Sequence, residues 1–480
     1  MIRRMLLLGL VLACFPSLPE AVSAQGVYLT PYRNPAYRNP LRTRRTFAWR
    51  RPNYRAPKPT PQDRKNAFLN AVDAGDASDV EAMLRQGAKV DILGPNGITA
   101  LMIATEHNDA SMATVLLNHG ANVNLADKNG DTALIIGAYY RAEQVAPLLL
   151  THKAVVDAKD HTGETALIYA AGSGSEAIAA DLLSHNAAID LADLSGVTPL
   201  MTAAGEGHAD IVKALLVKKP ALELKDRDAA TALIYGARSG RLDVAQPLIA
   251  AGANVNAADK IGYNPLIIAC GLGKLDLATL LIAHGADVHS VDVDNNTPLM
   301  AAAASGNADL VSFLLSRKVD LSVRDKDRYT ALLIAAKYGK PDAAKVLLDA
   351  GANPSVQDKD GNDALILASQ TGSAPAVTLL LGGKVDVKHA NNAGTTALMV
   401  AAKYGHADIV DLLLAHDADV DSADGDGNTA LMFASQYGSV ACARALVARG
   451  ADKKAHNKAG ETAHSLAIQN AYPEVAALVR

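Results

Sequence analysis

Asp127-Lys128-Asn129-Gly130-Asp131-Thr132-Ala133-Leu134 is one instance of a motif that returns along most of the chain. Aligned on its threonine, the series Thr99, Thr132, Thr165, Thr198, Thr231, Asn264, Thr297, Thr330, Asp363, Thr396, Thr429 and Thr462 advances by 33 residues at every step. One step further back is Asn66, which makes thirteen registers without an insertion or deletion. Thr, Asn or Asp at the register offers a side-chain oxygen to the free amides of a helix start. Pro199, Pro265 and Pro298 follow directly, at the first helical position, where proline is tolerated. Nine places beyond the register, glycine recurs in nine successive units from Gly174 to Gly438. Glycine there permits the left-handed conformation that closes a short first helix. A second helix follows, with inward-facing pairs such as Leu116-Leu117, Leu215-Leu216, Leu280-Leu281 and Leu413-Leu414.

The 33-residue period and the Asp-x-x-Gly-x-Thr-Ala-Leu core resemble the ankyrin repeat, from residue 66 to about 480. The resemblance implies an all-α solenoid of about thirteen turn-helix-helix units with a concave face. Helices packed about 8 to 10 Å apart would make it a curved rod about 110 to 130 Å long. End units must each present one polar face, and the stretches near 66–94 and 462–480 are the atypical ones. Where the family has histidine in Thr-Pro-Leu-His, this chain has Met102, Ile135, Met201 or Met399, so apolar packing is expected in place of that histidine's hydrogen bonds. Ala229, Asn295 and Arg328 replace the turn glycine, which predicts altered loops before units six, eight and nine. Pro147 and Pro247 fall inside expected second helices, as kink sites.

Outside the repeats the chain changes character. Arg3 and Arg4, the apolar run Met5 to Phe15, and Val22-Ser23-Ala24 have the order of a secretory signal cleaved after residue 24. Val11-Leu12-Ala13-Cys14 is a competing lipoprotein-like box, which would anchor the chain through Cys14. The segment 25–65 holds seven prolines, eleven basic residues and six aromatics against one acid, Asp63. It reads as an extended, disordered arm with charge +10, joined to a body (66–480) with charge −15. Such an arm has three readings: a linker, a strap lying back on the acidic body, or a tether to anionic lipid or glycan of the envelope. Nucleic acid is disfavoured as the anion in an exported protein, and no membrane-spanning helix is expected in the mature chain.

With 480 residues and 49% hydrophobic content the chain is long enough for three ordinary domains, but the unbroken repeat replaces that division. No phosphate loop, nucleophile elbow or zinc-spaced cysteine set occurs, so neither enzyme nor cofactor is expected. Cys270 and Cys442 take core positions in a first and a second helix. His119, His152, His185, His284 and His416 share one place near the end of the second helix, where the dipole favours an imidazole. One repeat apart, they are too distant to share a metal ion.

In ankyrin-repeat proteins partners usually meet the turn tips and the end of the first helix. Carried onto this sequence, those columns single out Lys326, Tyr329, Lys337, Tyr338, Lys359, Gln370, Lys403, Tyr404, Gln436 and Tyr437 over units nine to twelve, with Tyr139 and Tyr140 of unit three as a second patch. Tyrosines beside basic and amide groups are the residues on which interface energy concentrates. The opposite reading is packing of each Tyr on the neighbouring repeat. The expected function is a non-enzymatic scaffold, exported to the bacterial periplasm, that holds a protein partner on its concave face. Two alternatives are an envelope protein tethered by its arm and a secreted effector acting on a host protein.

Overall fold

The structure, a computed structural model, describes residues 61–383 and 385–480; the expected export signal and residues 25–60 of the expected arm lie outside the described residues. Twenty-six α-helices follow in pairs, two to each register, with no strand among the described residues. Each helix packs chiefly on its own pair and on the equivalent helices of the next unit. From unit two onward the first helices run seven or eight residues, as in Ala100–Glu106 and Ala397–Tyr404, whereas most second helices run nine, as in Ala110–Asn118. First helices also pack on one another more extensively than second helices do. The shorter, closer row therefore lies inside the curve of the stack, and its exposed ends form the inner face.

Local chemistry explains each pair. In eleven of the twelve units from two to thirteen the register side chain accepts a hydrogen bond from the amide three residues on, at 2.9 Å for Asp363 with Ile366 and 3.2 Å for Thr99 with Met102. Thr231 is the exception: it makes no cap, and its buried hydroxyl has no partner. The sulfur of Met102 accepts the amide of Thr99 at 3.3 Å, and Met201 and Met399 do the same for Thr198 and Thr396 at 3.5 Å. A thioether thus supplies a weak acceptor where only apolar packing was expected, while Ile135 is simply buried.

In the turn, the Asp five places before the register organises the loop. Asp127 Oδ1 accepts the amides of Asn129 at 2.7 Å and Asp131 at 3.0 Å. Successive loops are then joined by one backbone bond each, from Lys128 N to Asn96 O through to Lys458 N to Asp426 O, between 2.7 and 3.1 Å long. The loops before units six, eight and nine do not depart from this shape. Ala229, Asn295 and Arg328 adopt φ of 63°, 66° and 67°, and their amides bond to Asp226, Asp292 and Asp325 as glycine does elsewhere. The loop bonds outvote the preference of the residue.

Unit one differs from expectation. Its first helix spans Pro61–Asp73, so Asn66 sits in the helix interior and accepts from Gln62 Nε2 at 2.9 Å instead of capping. No preceding turn interrupts this helix, which propagates back to a proline in its first turn. The expected boundary between arm and repeats at residue 65 therefore falls within a helix. Pro147 shifts the start of its helix, leaving only Ala146–Thr151, and Pro247 lies within the continuous helix Leu242–Ala250.

Candidate partner-binding surface

Residues seven and eight places beyond the register project from the ends of the first helices, so they repeat along the inner face as a double column. Where both are small, as at Gly172 and Ser173, the face is shallow; where both are large, it stands out. The structure gathers the sequence-derived candidates of units nine to twelve into two groups of different character.

Lys403, Tyr404, Gln436 and Tyr437 form the exposed group. The Lys403 ammonium lies 5.6 Å from the ring centre of Tyr404 and 5.7 Å from that of Tyr437, bridging two repeats. Both rings are about half exposed (49% and 48%), and Tyr404 stacks on His406 with ring centres 6.4 Å apart. Gln370 of the preceding unit donates from Nε2 to the Tyr404 hydroxyl at 3.4 Å. The two rings and Lys403 are held in place before any partner arrives, which limits the entropy lost on binding.

Tyr329, Lys337 and Tyr338 form the other group, and it faces inward. Tyr329 is buried at 8% exposure, with the Lys337 ammonium 4.4 Å above its ring and 3.4 Å from its hydroxyl. Burial pushes the Tyr329 hydroxyl up and the Lys337 ammonium down from their ordinary pKa values. Tyr338 is half-buried against the core. Lys326 and Lys359 are exposed at the loop tips, where each pairs with the preceding loop, to Asp294 at 3.3 Å and Asp327 at 2.8 Å. This half of the expected surface is largely occupied by contacts between repeats.

In unit three, Tyr139 and Tyr140 are both exposed and meet edge to face at 4.9 Å, with Tyr169 of unit four edge-on to Tyr139 at 5.7 Å. Tyr169 donates to Asp160 Oδ2 at 2.8 Å. Burial, reinforced by Asp127, Asp160 and Glu164, raises Asp131 to about 6. The neighbourhood is therefore aromatic and acidic.

Sequence columns missed one feature. Leu194, Ile261 and Val293 stand exposed at the loop tips of units five, seven and eight, at 63%, 38% and 50%. Their signal was present in two tip columns: the place of Leu194 and Val293, four before the register, is Lys in Lys128, Lys260, Lys326, Lys359 and Lys458, and that of Ile261, three before it, is Asp in Asp228, Asp294, Asp327, Asp360 and Asp426. The histidines at the second-helix ends are each bonded through Nδ1 to the carbonyl four residues back, for example His119 to Val115 at 2.9 Å and His416 to Leu412 at 2.9 Å. Cys270 and Cys442 are fully buried, and burial raises both thiols. Among the described residues no three of His, Cys, Asp and Glu are grouped as a metal ion requires, and no helix is long and apolar enough to cross a membrane.

Comparison with family models matches ankyrin repeats in three copies over 68–160, 154–228, 233–325, 266–358 and 332–424, and ankyrin repeats in many copies over 413–467. No curated protein sequence matches the chain.

Proposed function

The chain belongs to the ankyrin-repeat family, and from that membership we propose that it is a non-enzymatic, protein-binding scaffold whose partner rests on the inner face of units eleven and twelve. The observation that carries the reading is the pair of exposed rings, Tyr404 and Tyr437, bridged by the half-buried Lys403, with Gln436 exposed next to Tyr437 in the chain. Rings held by a shared cation and a neighbouring amide contribute contact area at low entropic cost. Tyr139 and Tyr140 form a second exposed aromatic patch eight units away.

We place the protein in the bacterial periplasm, on the order of basic, apolar and small residues through residue 24. Its test is affinity capture from a cell-envelope extract with residues 25–480 and with Tyr404→Ala/Tyr437→Ala in the same chain. The substitutions are expected to weaken capture of a protein partner by at least about thirtyfold, the scale of a lost hot spot of about 2 kcal/mol. Equal capture by both proteins would remove units eleven and twelve from the site. The basic segment 25–60 favours a second reading, a tether to anionic lipid or glycan, and this attachment would fade as salt rises.

A further inference from the structure

The inner face of units two to four carries an aromatic and acidic surface that the partner site over units eleven and twelve does not use. Tyr139, Tyr140 and Tyr169 form a run of edge-to-face rings across two repeats. Asp131 and Glu164 flank it, one residue before the register in adjacent loops. The largest charge effects on Asp131 come from Asp127, Asp160 and Glu164, and those on Glu164 from Asp160 and Asp193, all negative. Unit seven has Tyr263 at this place, and its Asp259, five before the register, is met by Arg238 at 2.7 Å. A face that mixes exposed tyrosine rings with half-buried carboxylates suits guanidinium groups, which stack on the rings and pair with the acids.

The chain itself holds such a segment. Residues 25–60 contain eight arginines, Lys58, six aromatics and no acid. They join the stack at Pro61, the start of the first helix of unit one. In every later unit the first helix begins beside the loop, and Pro61 begins the corresponding helix of unit one. Unit three lies two repeats away, about 20 Å at the spacing of packed helices. A stretch of 12 residues, from Trp49 to Pro61, spans up to about 40 Å when extended, so reach is ample. Attachment makes the encounter intramolecular, at an effective concentration in the millimolar range.

We infer that residues 25–60 dock along the inner face of units two to four, their arginines against Tyr139, Tyr140, Tyr169, Asp131 and Glu164. The docked segment covers the N-terminal part of the groove and leaves units eleven and twelve open. This inference does not rest on the partner reading above.

Trp49 is the chain's single tryptophan and reports the segment directly. In residues 25–480, acrylamide quenching of Trp49 is expected to be at least about threefold weaker than in the isolated peptide 25–60 at low salt. It should rise to the peptide's value at about 0.5 M salt, and at low salt in Asp131→Asn/Glu164→Gln/Tyr140→Ala. The control Asp424→Asn/Asp426→Asn, in the loop of unit twelve, should leave quenching unchanged; asparagine already stands at the place of Asp424 in Asn391 and Asn457. In Arg50→Lys, which keeps the charge and sets an amine 11 residues from Pro61, within about 37 Å, carbodiimide should join that amine to Asp131 or Glu164 as an amide, located by mass spectrometry of the digest. Trp49 as accessible as in the free peptide overturns the inference. So does equal exposure by the distal control, or cross-linking of the position-50 amine only to acids other than Asp131 and Glu164. Loss of helicity in the triple variant leaves the cross-link in Arg50→Lys to decide.

Discussion

Arg328 has a left-handed backbone, φ 67°, at a place where most units have glycine. For a residue with a Cβ this conformation costs about 1 to 2 kcal/mol. Arg328→Gly is therefore expected to stabilise units eight and nine by about 1 kcal/mol, read as slower local amide exchange in the helix Ala331–Lys337. The opposite change, Gly262→Ala, would place a Cβ 2.7 Å from the Asp292 Cα, and the loops of units seven and eight would have to part. Asp325 carries a pH dependence. Burial raises its carboxyl to about 6, above the ordinary 3.8, so between those values the folded state holds a proton that the unfolded chain has released. Stability is therefore lost as pH rises from about 4 to 6. Asp325→Asn keeps the acceptor for the Tyr329 amide and should gain about 1 kcal/mol at pH 7.5, with no gain at about pH 3.5. Single residues were legible in unequal measure. The cap at Thr99 follows from its type and spacing, whereas the Met102 sulfur accepting the Thr99 amide needed side-chain geometry.

At the scale of the element, unit six collects the departures. Its turn holds Ala229 at positive φ, its register residue Thr231 makes no cap, and the matched repeat models stop at 228 and resume at 233. A lost cap and a left-handed alanine together cost about 2 kcal/mol. Amides of the helix Ala232–Ser239 are expected to exchange about thirtyfold faster than those of Pro298–Ser305, whose Thr297 caps normally. Ala229→Gly should slow them. Equal exchange in the two helices would mean that the loop bonds alone set local stability. The position of almost every helix was legible in the 33-residue register, because a cap and a stop bound each one. Unit one was not, since the register assumes a preceding turn and the helix Pro61–Asp73 has none. The three unusual turns were misread for a related reason: their shape is imposed by hydrogen bonds to neighbouring loops, which no single turn sequence contains.

For the whole molecule, packing chiefly between adjacent units makes stability a sum of nearest-neighbour terms. Unfolding in urea is expected to spread over more than one transition, with exchange in unit six leading and helicity lost later. A single transition shared by circular dichroism and by exchange in every unit would contradict this. The inner face could be drawn from the sequence only as columns. Which columns are open depends on the depth of each side chain: Tyr404 stands half exposed while Tyr329 lies under Lys337. That difference comes from the neighbouring repeat and not from the residue type.

The single backbone bond between each pair of adjacent loops has a mechanical corollary. Linked one after another along the same edge, these bonds act as springs in series, while the second helices on the far side are more loosely coupled. Load applied at either end passes through every junction and the deformation is divided among them, so a small angular strain at each sums to a large change in the opening of the groove. A guest broader than the resting curvature can be admitted by elastic flexure, with no hinge and no unit melted, and the stored strain helps expel it afterwards.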